Sequence, residues 1–262
     1  MPLPAAASLH PKMGRSPVNR SLERGIELLR AFRPGSEALG NGELAERSGL
    51  SRATVSRLTQ TLVGTGFLQY DTALRAYRLG VPVLSLAHAL RTSSAWLQAA
   101  SGPMQEVAIA MRINVGLATA DRDEMVYLKS VRYGPRASLR TVVEGQRVPM
   151  ELTSLGRAWL AVASHADRQA LAAIWRARRG AGWRTLAREL TEARHSVRTQ
   201  GYCVAAWQPE VLALSTPLVV PGHPVHVLNM SLSASRADAA DIEARLAVPL
   251  QNLAATIRRA VS

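Results

Sequence analysis

The chain has 262 residues, 47% hydrophobic and 19% charged, which suits roughly two soluble domains with real cores. Its formal net charge of +13 favours polyanionic partners, nucleic acid before an anionic membrane surface. The single cysteine, Cys203, excludes an internal disulfide and a cysteine-rich zinc site, and suits a reducing cytoplasm.

Charge alone is a weak argument for DNA, because 30 of the 32 basic residues are arginine and coding bias gives the same composition. Its distribution adds a little. Residues 1–93 carry 12 basic and 6 acidic groups, against 20 and 13 in residues 94–262, so the shorter part is the denser in positive charge.

Residues 1–17 are rich in Pro, Ala and Ser and lack a continuous apolar core. They read as a disordered tail, not a signal peptide. No apolar run reaches the roughly 18 residues of a membrane span. Leu22, Ile26, Leu29 and Phe32 then repeat at helical spacing, with Ser21 the expected N-cap and Pro34-Gly35-Ser36 the stop. A short helix is expected over 43–48, with Leu44 and Ala45 inward and Gly49 as its C-cap. Ser51 caps a further helix over 52–63, whose apolar stripe is Val55, Leu58 and Leu62.

Two short helices joined by a tight glycine turn make a helix-turn-helix pattern. The second helix leaves Arg52, Thr54, Ser56, Arg57, Gln60 and Thr61 off its apolar stripe, and no acidic residue lies between Ser51 and Tyr70. Arginine suits guanine edges and glutamine suits adenine, while Ser51, Thr54 and Ser56 suit phosphate. A hairpin over 67–79 follows as a wing. Arg75 and Arg78 either reach the DNA backbone from it or belong to a hairpin that only covers the core. Residues 81–97 read as a linker helix with a broad apolar face that needs a partner, a second copy being the natural one.

The rest is expected to be α+β. Helices are expected from Ser101-Gly102-Pro103 to about residue 112, over 155–164, 167–178 and 185–199, and over 237–260, the last either continuous or broken at Pro249. Strands are expected over 113–120, 125–131, 139–143, 202–206, 212–220 and 225–233. His223 and His226 flank Pro224, but two histidines fall short of a catalytic zinc site, and a turn is the plainer reading. No phosphate-binding glycine loop or nucleophile elbow occurs, and Cys203 sits among apolar neighbours as an inert thiol. No catalytic residue, metal or cofactor is expected.

Taken together, SLERGIELL, ELAERSGLSRATVSRLTQTL, GTGFLQY, YRLG, TSLGRAWLA, RTQGY and MSLSA, in that order, resemble the IclR-type regulators from about Val18 to Ala260. The resemblance implies a winged helix-turn-helix head at 18–80, a linker helix at 81–97, and a GAF-like effector-binding and oligomerisation domain at 98–262. That domain has an antiparallel sheet flanked by helices. It also implies a cytoplasmic dimer or tetramer, a palindromic double-stranded operator, no membrane partner, either sign of regulation, and an effector that is a small carboxylate or aromatic acid. Family ligands meet the loop before the second domain's conserved helix, here Ser154 and Leu155, and the inner face of the late strands, here Pro217, Ser231 and Ser233. The two serines alternate onto one face, which is either the pocket or solvent. Two departures stand out. GYCVAAWQPEV lacks the acidic residues usual after the GY pair, which brings Trp207 forward as an aromatic contact; and Arg157 replaces the usual lysine. Arg140 is placed either on a ligand carboxylate or in a surface ion pair. Two other classes remain: an enzyme with a targeting head, for which residues 98–262 offer no nucleophile-base pair or metal cluster, and an architectural DNA protein with no pocket.

Overall fold

A computed structural model of the chain describes residues 19–133, 142–208, 211–233 and 239–262. These fall into two compact units that meet in sequence between Ser94 and Ala95.

The first unit contains α1 (Arg20–Arg30), α2 (Asn41–Ser48), α3 (Arg52–Gly64), β1 (Leu68–Asp71), β2 (Ala76–Leu79) and α4 (Pro82–Ser93). Asn19, not Ser21, caps α1: its Oδ1 accepts from the amides of Ser21 and Leu22, both at 3.1 Å. The inward face of α1 also differs from expectation. Leu28 is fully buried while Leu22 and Ile26 are exposed. The core of the unit joins Leu28, Ala31 and Phe32 to Leu39, Leu44, Val55 and Leu68, with Leu58 and Leu62 partly buried against it. Thr59 joins this interior although it is polar, because its hydroxyl donates to the carbonyls of Val55 and Ser56 and so needs no water. β1 and β2 form an antiparallel hairpin, and Leu39 bridges to Tyr77 on its other side. At the hairpin's base a Cβ on Gly80 would fall 1.8 Å from the Gly66 carbonyl oxygen, so only glycine fits.

The second unit contains α5 (Ala95–Met111), β3 (Asn114–Asp121), β4 (Glu124–Val131), β5 (Arg147–Pro149), α6 (Ser154–Val162), α7 (His165–Arg179), α8 (Trp183–Gln200), β6 (Cys203–Gln208), β7 (Val211–Leu218), β8 (His226–Ser233) and α9 (Ala239–Val261). Its strands form one antiparallel sheet in the order β5-β4-β3-β8-β7-β6. One face packs on α5 and α9 through Leu117, Leu214, Leu228, Met230, Met104 and Leu250. The other packs on α6, α7 and α8 through Ala118, Met125, Val227, Leu155, Trp159 and Trp175. Helices on both faces thus sandwich the sheet.

Three boundaries depart from the sequence reading. α5 begins at Ala95, not at Ser101, because Trp96 and Leu97 bury into this unit's core, and Pro103 sits inside the helix. α9 runs unbroken through Pro249. The three-residue β5 lies where no strand was expected, while most of the strand expected over 139–143 lies outside the described residues.

Candidate functional site

In the first unit, α2 ends on Gly49 at φ 69°, a left-handed cap that turns the chain sharply. Ser51 then starts α3. Its hydroxyl accepts from the Thr54 amide at 3.3 Å and lies 2.9 Å from the Thr54 hydroxyl, so both side chains serve the cap. Burying Val55 and Thr59 turns the opposite side of α3 to solvent, where Arg52, Arg57 and Gln60 are exposed and Ser56 is half-buried. Among the described residues, the side chains of Arg57 and Gln60 have no hydrogen-bond or ion-pair partner.

The wing is more constrained. Asp71 Oδ1 accepts from the Leu74 amide at 3.0 Å, and Arg75 closes the turn at φ 51°, unusual for a side chain of this size. Arg75 is exposed, but Arg78 is tied by its Nε to Asp71 at 3.3 Å. The Leu74 amide first, then Arg78, hold the Asp71 carboxyl below its ordinary value.

In the second unit, the sheet face beneath α6 carries a neutral polar row. Gly116, Asn229, Ser215 and Cys203 stand in register across β3, β8, β7 and β6. Asn229 and Ser215 are buried, and Tyr127 is buried beside them. Burial drives the Tyr127 phenol well above its ordinary value, against the pull of a hydrogen bond from the Asn229 side chain. Asn229 Oδ1 itself has no hydrogen-bond partner. A Cβ on Gly116 would fall 2.3 Å from that oxygen and 2.6 Å from the Tyr127 ring, so glycine makes room for both.

The start of α6 lies over this row. Thr153 caps the helix by accepting from the Gly156 amide at 3.3 Å. Ser154 Oγ lies 2.8 Å from Ser215 Oγ, and the Cys203 thiol donates to the Ser154 carbonyl oxygen at 3.5 Å. Leu155 is buried next to it. The helix approaches so closely that a Cβ on Gly156 would fall 2.0 Å from the Met150 carbonyl oxygen. Burial pushes the Cys203 thiol up to about 12, with Arg157 pulling weakly the other way, so it is a poor nucleophile. Arg157 is engaged elsewhere, donating to the Glu151 carbonyl oxygen at 3.2 Å and pairing with Glu189 on α8.

The structure therefore brings Ser154, Leu155 and Pro217 to one inner face. Pro217 is buried in the alternation Ala213, Ser215, Pro217. Ser231 shares that face one step further along β8, half-buried between Asn114 and Ala213. Trp207 is not buried there. It lies in a bulge between Ala205 and Gln208 and is 37% exposed. Ser233 has a defined strand position opposite Val211, but its side chain lies outside the described residues, as does all of Arg140. Sequence reading missed Ser215, Asn229, Tyr127 and Gly116. Counting back by two from Pro217 and from Ser231 reaches Ser215 and Asn229.

The IclR helix-turn-helix domain family matches residues 21–72, and the family of bacterial transcriptional regulator IclR C-terminal domains matches residues 89–259. The chain belongs to the IclR family of transcription regulators. The IclR-type chain is 33% identical over 188 residues to the HTH-type transcriptional regulator TsaQ1/TsaQ2 of Comamonas testosteroni, a span of 71% of this chain and 66% of that protein. It is 31% identical to an IclR family transcriptional regulator from Brucella abortus, whose crystal structure matches with a TM-score of 0.82 over 94% of each chain. An IclR homologue from Microbacterium hydrocarbonoxydans, complexed with 4-hydroxybenzoate, shares the fold at 22% identity and a TM-score of 0.68, over 92% of this chain and 98% of that one. The first unit is thus the DNA-binding head of an IclR-type regulator and the second its effector-binding domain, in a family of regulators and not of enzymes. Among the described residues no helix is long and apolar enough to cross a membrane, and no three side chains are grouped to hold a metal ion.

Proposed function

We propose that this IclR-type regulator binds a palindromic operator as a homodimer or paired dimers, and that a small carboxylate or aromatic acid shifts its affinity for that operator. One observation carries the DNA half: the outward side of α3 presents Arg57 and Gln60 without partners among the described residues, and no carboxylate occurs from residue 51 to 70. Arg52, Arg57 and Gln60 read base edges in the major groove, while Ser51, Thr54 and Ser56 set the register on phosphates. Arg75 reaches the backbone directly. Arg78 does so only by exchanging Asp71 for a phosphate, a small cost for an exposed ion pair.

Support for a dimer comes from α4, which buries none of its residues and leaves Leu84, Leu86 and Leu90 all more than half exposed. A second copy offering the same stripe covers them, and its two heads then face two half-sites.

The effector site runs from Ser154 and Leu155 to Ser215, Pro217, Asn229 and Ser231, with Trp207 as an outer contact; the Ser233 side chain and Arg140, which the resemblance and the sequence suggested for it, lie outside the described residues. First-turn amides of a helix lack intrahelical acceptors and carry partial positive charge, which suits a carboxylate at the start of α6. The sheet supplies hydroxyls and an amide in an otherwise apolar surround, which suits an aromatic or short aliphatic body. The Microbacterium homologue's 4-hydroxybenzoate is an acid of this class. The effector acts through unequal affinity for the DNA-competent and incompetent states, so its preference sets repression or activation.

The test is a selection from random duplexes with the purified full chain, repeated with aromatic and short-chain acids. A palindrome is expected, bound with an affinity that falls steeply with salt and changes with one acid class. Arg57→Ala weakens the selected site by about 1–3 kcal/mol while leaving non-specific binding nearly intact. Failure to bind any duplex at low ionic strength overturns the reading; equal loss on all sequences moves Arg57 from base to phosphate.

A further inference from the structure

A second cationic site lies in the effector-binding unit, apart from the row under α6. Several arginines elsewhere on α6 and α7 already have carboxylates: Arg157 pairs with Glu189, Arg178 with Asp123 and Arg179 with Glu151. Among the described residues, no carboxylate forms an ion pair with Arg168, Arg194 or Arg198. α7 and α8 are joined by the three-residue turn Gly180–Gly182 and pack into the same core, through Leu171 and Trp175 on one helix and Ala193 and Val197 on the other. Arg168 and Arg194 lie at equal distances in sequence from the middle of that turn, so the hairpin brings them level. Arg198 follows Arg194 by one helical turn, on the same side of α8.

Each guanidinium is held in a way that leaves it available. Arg168 donates to the Ala163 carbonyl oxygen at the end of α6, which anchors its head. The Nε of Arg194 is buried without a hydrogen-bond partner. Arg198 is exposed, with no partner among the described residues. Burial first, then Arg194 and Arg198, hold the Arg168 guanidinium below its ordinary value, as three adjacent cations should. The nearby carboxylate is Asp167, whose Oδ2 is taken by the Ser164 hydroxyl at 2.7 Å. The set therefore carries a surplus of about two positive charges.

We propose that Arg168, Arg194 and Arg198 form a binding site for a phosphate-type dianion, either free phosphate or the phosphoryl group of a metabolite. Planar guanidiniums offer paired N–H donors that match phosphate oxygens, and a dianion offsets the surplus charge. The site lies at the C-terminal end of α6, while Ser154 opens the other end, about 13 Å along a nine-residue helix. It therefore stands whatever the fate of the proposed effector site.

The experiment is thermal unfolding of the DNA-free full chain at constant ionic strength, with sodium chloride exchanged for inorganic phosphate or for ribose 5-phosphate. At ten times its Kd the dianion raises Tm by about 3–6 °C. Arg198→Gln, a surface change that leaves the fold intact, and Arg194→Gln each weaken the response about tenfold or more. Arg57→Ala, on the head, leaves it unchanged. A tighter response to the ester assigns the site to a metabolite, and a tighter response to phosphate assigns it to the free ion. A response that chloride reproduces, that survives Arg198→Gln, or that vanishes with Arg57→Ala overturns the proposal.

Discussion

Removing one hydroxyl from the Ser154–Ser215 pair tests whether the inner polar row is a coupled unit. The two oxygens lie 2.8 Å apart, with Ser154 2% and Ser215 0% exposed, so neither has ready access to water. Ser215→Ala leaves the Ser154 hydroxyl buried without its partner, and Ser154→Ala does the converse. Each single change should cost about 1–3 kcal/mol, the desolvation penalty of an orphaned polar group. The double variant leaves no orphan and should cost no more than one of the singles. The coupling in a double-mutant cycle is therefore at least as large as the smaller single loss, about 1–3 kcal/mol, within the range of contacting pairs. Urea unfolding at unchanged m-value measures it, and DNA affinity without effector serves as the control, because α3 belongs to the other unit. Two single losses that add in the double variant would refute the reasoning, since the hydroxyls would then be satisfied independently.

Two further perturbations probe the same unit. His226 stacks on Trp96 with ring centroids 4.5 Å apart, and burial lowers its pKa to about 4. The folded form stays neutral while the unfolded chain takes a proton near pH 6.5. Stability is therefore intact above that pH and falls by about 1.4 kcal/mol per pH unit down to about 4, a loss of about 3 kcal/mol; His226→Phe should flatten this slope in urea titrations from pH 7 to 4, and an unchanged slope would assign it to other groups. Gly156→Ala drives a methyl into the Met150 backbone, so α6 must shift, at a cost of about 1–3 kcal/mol or more read from the urea midpoint; a neutral outcome would mean that the 150–156 loop yields freely.

The parts legible in the sequence are those set by neighbours in the chain. Gly49 and Ser51 define the α2–α3 turn within three residues, and the caps seen there are the ones read from the sequence. The alternation along β7 and β8 is equally local. What was missed depends on distant packing. Both Asn19 and Ser21 are good capping residues, and the choice between them follows from how α1 seats Leu28. Thr59 has no place in the apolar stripe read from the sequence, and its burial is possible because its hydroxyl bonds back to its own helix. Pro103 and Pro249 look like helix boundaries, yet each helix continues because its apolar face is buried against the other's. Asn229 and Tyr127 come together only when β4 and β8 flank β3. Gly116 between them has meaning only in that sheet, where its missing side chain makes space for both.

The net charge of +13 is a poor guide to partners, because it does not say which of the 32 basic residues already face a carboxylate where they sit. In the effector-binding unit Arg147 is held between Asp121 and Glu124, and Arg157, Arg178 and Arg179 each have a carboxylate. Such pairs release few counterions when DNA approaches, since their charge is locally balanced. Among the described residues the guanidiniums of α3 have no such balance, and the wing holds one arginine without an ion-pair partner and one weakly paired. The salt slope of operator binding should thus follow the arginines of the head, falling by about 0.9 for each phosphate contact removed. Arg75→Ala should lower that slope by about one step per subunit. Arg178→Ala, in the effector-binding unit, should leave it unchanged. If both variants lowered the slope alike, long-range charge and not direct contact would govern the affinity, and the count of unpaired arginines on the head would lose its meaning.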